Sequence, residues 1–239
     1  MIPIRDHNPS QRTPVVVYAL IALNVAIWVW GALAITTEAD LARLYYHYAL
    51  VPALVTEGLG WTGFLTSIFL HGGPLHLAGN MLFLWIFGDN LEDRMGHLRF
   101  ALFYLACGLA GGAAQVLSEP FSAVPTIGAS GAIAGVMGGY LLLFPKARVD
   151  VFLYVALVSI PAFVVLAVWF ALQLLGGLSP TDGVAYWAHN GGFIAGVLLI
   201  LPLWLRLGGP RFWRRTHGHP PHPPPLPRRS SVPSVPRRR

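Results

Sequence analysis

Long apolar runs recur along the chain, and short polar or charged segments separate them. Because an α-helix needs roughly 20 mainly apolar residues to cross the hydrocarbon core of a bilayer, such runs predict transmembrane helices. We predict six spans, at residues 14–34, 75–91, 98–117, 129–144, 151–176 and 185–207. The pattern therefore predicts an all-α polytopic membrane protein with a core of six transmembrane helices.

The chain divides into three regions. Residues 1–13 form a short N-terminal segment, residues 14–208 the membrane domain, and residues 209–239 a tail rich in proline and arginine. A tail of this composition buries too little apolar surface to fold, so we predict that it is disordered and contacts anionic lipid. The alternative for the tail is a proline-rich ligand for a partner protein.

The connection between the first two spans, residues 35–74, is much longer than the other connections. It carries apolar and aromatic residues, among them Trp61, Phe64 and Phe69. Because such a segment is too apolar for an ordinary solvent-exposed loop, we predict that it lies partly in the membrane interface.

The composition supports a membrane protein and excludes several other classes. Of the 239 residues, 55% are hydrophobic and 11% are charged, whereas soluble domains average about 25% charged residues. The formal net charge of +6 is best explained by membrane topology, so we predict no nucleic-acid partner. Cys107 is the single cysteine, which excludes an internal disulfide.

The basic residues are distributed asymmetrically across the predicted spans. Of the 16 lysines and arginines, 15 fall on one side, and Arg43 is the exception. Because basic residues favour the cytoplasmic side of a membrane, both termini are predicted to be cytoplasmic. The six-span plan, with no recognisable signal or transit peptide, predicts the bacterial plasma membrane as the location.

Polar side chains gather at one depth in this topology. The second, fourth and sixth spans all begin at the outer face. His71, His76 and Asn80 lie just before or within the first turns of the second span, Ser130 opens the fourth, and His189 lies about one turn into the sixth. With a rise of about 1.5 Å per residue, these side chains share a level just below the outer surface. Polar groups inside a membrane indicate function, so we predict a site there.

The residue types at this level suit acyl transfer. A serine activated by a histidine base is a common nucleophile, and Ser130 and His189 fit those roles. No carboxylate lies at their depth, and Asp182 is in the loop above, so we predict a dyad rather than a triad. His76 and Asn80 share one helix face. With the backbone N–H of Ser130, they are predicted to form an oxyanion site.

Glycines lie on the same spans as the predicted dyad. Gly131 and Gly135 lie on the fourth span, and Gly192 and Gly196 follow His189 on the sixth. Small residues let helix backbones approach closely, and a Ser–His hydrogen bond requires about 2.6–3.2 Å between heavy atoms. Ordinary small-residue helix packing is the alternative interpretation, and both can hold together.

Three other functions are alternatives to catalysis by a serine. A metal site is disfavoured because His71 and His76 are five residues apart with no glutamate between them, so no metal or other cofactor is predicted. A transporter would need polar residues along a whole path, but the cluster stops near the outer face. A non-cleaving protein that binds membrane helices for quality control would be marked by loss of Ser130 or His189, and both are present.

Several motifs occur in a fixed order between residues 60 and 208. They are His71-Gly-Gly-Pro-Leu-His76-Leu-Ala-Gly-Asn80, Glu92-Asp-Arg94-Met-Gly96, Gly128-Ala-Ser130-Gly131 and Ala188-His189-Asn-Gly-Gly192-x-x-x-Gly196. Together they resemble the rhomboid family of intramembrane serine proteases. The resemblance implies a six-helix core with a long, partly membrane-embedded first loop.

The resemblance also implies roles for individual residues and a class of substrate. Ser130 would be the nucleophile and His189 the base, His76, Asn80 and the Ser130 backbone would line the oxyanion site, Gly128 would shape the turn, and His71 would support the site near the water entry. The substrates would be membrane proteins, cut in or near a transmembrane segment in the lipid bilayer. Small residues are implied at the cut and helix-destabilising residues beyond it. The resemblance indicates no oligomeric state.

The chain departs from the family pattern at two positions. Many relatives place an aromatic residue one turn after the serine, against the catalytic histidine, but here that residue is Ala134. Other neighbours must therefore orient His189. Many relatives have Trp-Arg in the first loop, where this chain has Trp61 and Thr62.

The fifth span contains Pro161, which lacks a backbone N–H. A proline inside a helix removes one hydrogen bond and bends the helix. We therefore predict a kink in the fifth span, and we expect this span to move when a substrate enters.

Overall fold

The structure is a computed structural model that describes residues 2–153, 155–179 and 183–218. It is mostly helical, with one small sheet. The helices are α1 Val15–Ala34, α2 Glu38–Tyr48, α3 Pro52–Thr56, α4 Gly63–Thr66, α5 Pro74–Met95, α6 His97–Ser118, α7 Ser130–Leu143, α8 Ala162–Leu178, α9 Tyr186–Arg206 and α10 Pro210–Thr216. The strands are β1 Ile2–Asp6, β2 Arg148–Leu153 and β3 Ala156–Pro161, and a 3-10 turn covers Ser67–Phe69.

Helices α1, α5, α6, α7, α8 and α9 overlap the six predicted spans. Within the described residues, α1, α6 and α9 are long and apolar enough to cross a membrane, while α7 and α8 are shorter apolar helices. Helix α5 has 22 residues and carries four charged residues near its end. The mostly helical fold is therefore confirmed, whereas the number of spans stays a prediction.

The predicted start of the fifth span is wrong. Residues 148–153 and 156–161 form the two strands of a β-hairpin, and β2 pairs antiparallel with β1 on one side and β3 on the other. The all-α class thus misses a three-stranded sheet, and Pro161 ends β3 directly before α8 instead of kinking a helix. The cause is composition, because the run is apolar but rich in β-branched valine and isoleucine, which favour strands.

The N-terminal segment is held to this sheet by two hydrogen bonds to Asp150. Arg5 Nε donates to Asp150 Oδ2 at 2.7 Å, and the His7 ring lies 2.9 Å from Asp150 Oδ1. These bonds favour the carboxylate and lower the pKa of Asp150 to about 2. The segment is therefore a folded strand rather than a free extension.

The start of the predicted disordered tail is also wrong. Helix α10, Pro210–Thr216, packs against the core, with Phe212 only 2% exposed. The indole N–H of Trp213 donates to the Leu142 carbonyl at 2.8 Å. Two bulky aromatic residues supply the apolar surface that the rest of the tail lacks. Residues 219–239, which make up the remainder of the predicted tail, lie outside the described residues.

The connection between α1 and α5 is folded into short helices. Helix α2 begins at an N-cap, where the Thr37 hydroxyl accepts from Asp40 N–H at 3.1 Å. Further along, an isolated β-bridge joins Leu50 to Thr126, in the segment that leads to α7. The connection therefore packs against the loop before Ser130, and its predicted place in the membrane interface stays a prediction.

Helix α7 is the central element of the fold. It packs against α5, α6, α8 and α9, and nearly all its residues are buried. The closest approach is to α9, where Gly192 lies against the Gly131 carbonyl oxygen and Gly196 against the Gly135 carbonyl oxygen. Because neither α9 glycine has a Cβ, the two backbones touch directly. This packing brings the start of α7 beside the start of α9.

Asp6 occupies a buried polar cluster at the opposite end of α7. Its carboxylate accepts from the Tyr140 hydroxyl at 2.6 Å and from Asn90 Nδ2 at 3.1 Å. Burial, with the nearby Asp89 adding to it, raises the pKa of Asp6 to about 7 from an ordinary value of 3.8. The folded state thus favours the protonated form, and ionisation above pH 4 increasingly favours unfolding.

We therefore expect the protein to lose stability on the order of 3 kcal/mol as the pH rises from 4 to 8, through Asp6 alone. Asp6→Asn should flatten this slope, because the amide does not ionise. Thermal denaturation in detergent at several pH values measures the effect, with Glu57→Gln at the exposed end of α3 as the control. An unchanged slope in Asp6→Asn would contradict the assignment.

Candidate active site

Ser130 and His189 come together at the start of two neighbouring helices. Ser130 is the first residue of α7, and His189 lies in the first turn of α9. Ser130 Oγ and His189 Nε2 are 2.7 Å apart, a hydrogen-bond distance. The glycine contacts between α7 and α9 make this distance attainable.

The turn before Ser130 depends on Gly128. Its φ is +123°, in a region that favours glycine, and its N–H donates to the Ser67 carbonyl at 2.9 Å. A Cβ on Gly128 would lie 2.7 Å from His76 Nε2 and 3.5 Å from Asn80 Nδ2. The glycine thus turns the chain into α7 and leaves space in front of these two side chains.

His76 and Asn80 lie on the same face of α5, beside this space. Asn80 is 8% exposed, and its Nδ2 has no hydrogen-bond partner among the described residues. His76 Nδ1 lies 3.4 Å from the Gly72 N–H, so it is an acceptor and Nε2 carries the hydrogen. A buried donor without a partner is rare, and here two N–H donors face the space beside Ser130.

The serine lies at the N-terminus of a helix. The first N–H groups of an α-helix have no partner within the helix, and the helix dipole adds partial positive charge there. The backbone N–H of Ser130 is therefore a further candidate donor in the cavity that Ser130, His76 and Asn80 line together. Such a set is suited to stabilising a developing oxyanion.

Gln173 and Trp169 hold His189 from helix α8, and sequence reasoning missed both roles. Gln173 Oε1 lies 2.7 Å from His189 Nδ1. The Trp169 ring lies 5.9 Å from the His189 ring, at an angle of 34°. Because Ala134 leaves no aromatic contact on α7, α8 supplies the orienting neighbours. The available signal was a glutamine within an otherwise apolar helix.

His71 packs against His76, outside the cavity that contains Ser130. It is 8% exposed, and its ring meets the His76 ring edge to face, with 5.0 Å between centroids. It lines a separate cleft of about 220 Å³ between α1 and α2 rather than the cavity at Ser130. His71 therefore packs against the predicted oxyanion residue, and its predicted role near the water entry stays a prediction.

A cavity of about 770 Å³ contains Ser130 and His189. Its walls come from α5, α7, α8, the start of α9 and the loops at residues 119–127 and 183–185. Glu119 in this lining accepts from Gln115 Nε2 at 3.1 Å, and Gln115 Oε1 accepts from Ala188 N–H at 3.2 Å. The Glu119 carboxylate is thus linked to the start of α9 through Gln115 and does not contact His189 directly.

The site brings a serine and a histidine into hydrogen-bond contact. Asp182, considered for a triad, lies outside the described residues. Within the described part of the chain, no group of three or more His, Cys, Asp or Glu side chains is arranged to hold a metal ion. The arrangement instead offers a nucleophile, a proton acceptor and several N–H donors in one cavity.

If Asn80 serves the predicted oxyanion site, Asn80→Ala is expected to lower kcat about 10²-fold, because one N–H donor is lost. The KM should change little, since this bond strengthens only in the transition state. Under the activity that the family resemblance implies, steady-state cleavage of a single-span substrate measures both constants. Asn24→Ala, on α1 and off the cavity, is the matched control, because Asn24 is also buried and its Nδ2 donates to the Leu20 carbonyl of its own helix. A pure rise in KM in Asn80→Ala would contradict the role.

Several known proteins are similar to this chain in sequence. The family model described as "Rhomboid domain" matches residues 58–206. The chain is 35% identical to RHOMBOID-like protein 5 of Arabidopsis thaliana over 66% of this chain and 48% of that protein. It is 36% identical to Rhomboid protease GluP of Bacillus subtilis (strain 168) over 63% of this chain and 28% of that protein.

A third relative is Rhomboid protein 1, mitochondrial, of Saccharomyces cerevisiae, which is 32% identical over 76% of this chain and 51% of that protein. The chain thus spans about half or less of the length of each of these relatives. The matched domain, however, covers more than half of this chain and includes Ser130, His189, His76 and Asn80. The chain belongs to the rhomboid family, whose domain is embedded in the membrane.

Proposed function

We propose that this protein is an intramembrane serine endopeptidase that hydrolyses peptide bonds in or near the transmembrane segments of membrane proteins. The observation that carries the proposal is the 2.7 Å contact between Ser130 Oγ and His189 Nε2 inside a cavity lined by further donors. Family membership supports the reaction class, and the roles of the individual residues are part of the proposal.

The first half of the reaction forms an acyl-enzyme. His189 Nε2 takes the proton of Ser130 Oγ as the oxygen attacks the scissile carbonyl carbon. The electron pair moves to the carbonyl oxygen, where N–H donors of Asn80, His76 and the Ser130 backbone stabilise the negative charge. His189 then gives the proton to the leaving nitrogen, the C–N bond breaks, and the amine product departs.

The second half restores the enzyme. A water molecule loses a proton to His189 Nε2 and attacks the acyl carbon, and the same donors stabilise the second oxyanion. The bond between carbon and Ser130 Oγ breaks, and the proton returns to Oγ. No proton acceptor beyond the histidine is required, so a dyad suffices.

The cavity also suits a substrate that arrives from the lipid. Its walls include Phe83 on α5 and Trp169 on α8, and the proposed entry lies between these two helices. Helix α8 buries only four of its residues, so it is the most easily displaced wall. The substrate must be locally extended at the cut, because a helical amide is shielded by its own hydrogen bonds.

The proposed topology places six spans in the bilayer with both termini on the cytoplasmic side. The folded elements support it, since β1 and α10 both contact the end of α7 opposite Ser130, and the β2–β3 hairpin pairs with β1. Among the described basic residues, Arg5, Arg94 and Lys146 lie at the same end. The bacterial plasma membrane stays a prediction, because the relatives include plant and mitochondrial proteins.

The test is cleavage of a single-span substrate protein in liposomes by the wild-type chain. The substrate carries small residues near the outer end of its span and a glycine–proline pair beyond them. Ser130→Ala should abolish both cleavage and labelling by a fluorophosphonate, whereas Ser118→Ala, at an exposed position ending α6, should preserve them. Cleavage that survives Ser130→Ala would overturn the mechanism. Failure of the wild type to cleave or label would instead favour a protein that binds helices without cutting.

A further inference from the structure

We propose that Gln173 is a positioning residue for His189, and that its amide oxygen holds the imidazole in the tautomer that acts as a base. This inference rests on the proposed function. The Gln173 Oε1 and His189 Nδ1 atoms are 2.7 Å apart, and His189 Nε2 is 2.7 Å from Ser130 Oγ. Both ring nitrogens therefore have one protein partner each.

The two contacts select one tautomer of the neutral ring. A neutral imidazole has one N–H donor and one acceptor nitrogen. Because an amide oxygen only accepts, Nδ1 must carry the hydrogen when it faces Gln173. Nε2 is then free to accept the proton of Ser130 Oγ. The other tautomer would place a hydrogen on Nε2 and block the transfer.

Helix α8 supplies the ring contact as well as the hydrogen bond. Trp169 and Gln173 are four residues apart and so lie on one face of the helix. Trp169 contacts the His189 ring, and Phe193 lies behind Trp169 with 6.2 Å between centroids. Ala134 offers no aromatic surface on the α7 side. The orientation of the base therefore comes mainly from α8.

The backbone at Gln173 is also fixed to α9. Asn190 Nδ2 donates to the Gln173 carbonyl oxygen at 3.3 Å. This bond links Asn190, which follows His189 in the sequence, to Gln173. The main chain is thus anchored independently of the Gln173 side chain, so a side-chain substitution leaves that link in place and isolates the effect on His189.

The contact gains strength during the reaction. When His189 accepts the serine proton it becomes an imidazolium ion, and a hydrogen bond from a charged donor is about twice as strong as a neutral one. An interaction that strengthens in the transition state raises kcat rather than substrate affinity. Loss of the acceptor should therefore appear in kcat.

The first experiment compares two substitutions of similar length at residue 173 in liposomes. Gln173→Met keeps the volume and removes the strong acceptor, whereas Gln173→Glu keeps an oxygen that accepts from Nδ1. We expect Gln173→Met to lower kcat about 10²-fold with KM within about threefold. Gln173→Glu should recover most of the lost rate. Leu172→Met, at a 56% exposed position on α8, is the control for helix packing.

Either of two outcomes would overturn the proposal. One is a kcat for Gln173→Met within about threefold of the wild type. The other is an equal loss in Gln173→Met and Gln173→Glu accompanied by a raised KM, which would indicate a packing role for α8.

A second readout does not depend on cleavage. In protein with ¹⁵N-labelled histidine, NMR shifts identify which ring nitrogen carries the hydrogen, and His189→Ala assigns the signals. We expect the Nδ1–H tautomer in the wild type and a mixture in Gln173→Met. An Nε2–H tautomer in the wild type would overturn the inference even if the protein cleaves its substrate. An Nδ1–H tautomer in a protein that does not cleave would instead count against the proposed function alone.

Discussion

Replacing Ser130 by alanine is expected to lower kcat/KM for a single-span substrate by about 10⁴–10⁶-fold, and His189→Ala should have a comparable effect. The serine supplies the attacking oxygen, and the histidine removes its proton across the 2.7 Å contact. Residual cleavage would come from the oxyanion donors acting on water. The double variant should be no slower than the slower single variant, because the two side chains act in one step.

The measurement is the rate of substrate cleavage in liposomes for the wild type, both single variants and the double variant. Thermal denaturation of each variant in detergent checks that the fold is intact. Ser118→Ala controls for the loss of a hydroxyl elsewhere. A double variant whose loss equals the product of the two single losses would show that Ser130 and His189 act independently, and would contradict the dyad.

The pairing of Ser130 with His189 could be predicted because topology places both at one depth. Spans of membrane length alternate in direction, so the starts of the second, fourth and sixth spans meet at the same face. Helix rise then fixes the level of each polar side chain. The glycines of α7 and α9 indicated a close approach, and the structure places Gly192 and Gly196 against the α7 backbone.

The hairpin and α10 could not be predicted from hydropathy. Residues 149–160 are as apolar as a membrane helix, and only their β-branched content distinguishes them. The pairing of β2 with β1 joins residues nearly 150 positions apart, for example Pro3 with Val151. Long-range pairings of this kind are set by tertiary contacts that a local pattern does not contain.

The role of Gln173 could not be predicted from the sequence for a related reason. The sequence shows a glutamine in an apolar helix, but its partner depends on the rotation of α8 about its axis. That rotation is set by packing against α7 and α9. Ala134 indicated that some other residue must orient His189, yet only the three-dimensional arrangement identifies which.

The placement of Gln173 and Trp169 has a consequence for substrate entry under the proposed function. Helix α8 forms one wall of the cavity and is the least buried helix around it. The groups that orient His189 lie on this same wall. A displacement of α8 that admits a substrate would therefore break the contacts of Gln173 and Trp169 with His189. The return of α8 would restore these contacts and the Nδ1–H tautomer that the attack requires.

Gly196→Ala is expected to lower the free energy of unfolding by about 3 kcal/mol. This value is at the upper end of the usual cost, roughly 1–3 kcal/mol, of adding a methyl group to a well-packed interior. The new Cβ would overlap the Gly135 carbonyl oxygen on α7. A backbone atom cannot rotate away as a side chain can, so α9 must shift as a whole. A shift of about 1 Å at the site can lower the rate about 10²-fold, so cleavage should fall as well.

Chemical denaturation in mixed micelles measures the stability change, and the liposome assay measures the rate. Gly31→Ala on α1 is the matched control, because its Cβ would meet only Ile35 Cδ1 at 3.8 Å. Removing a helix glycine there should leave stability unchanged or raise it by up to about 1 kcal/mol. If Gly196→Ala proved as stable and as active as Gly31→Ala, direct contact between the α7 and α9 backbones could not be what holds Ser130 against His189.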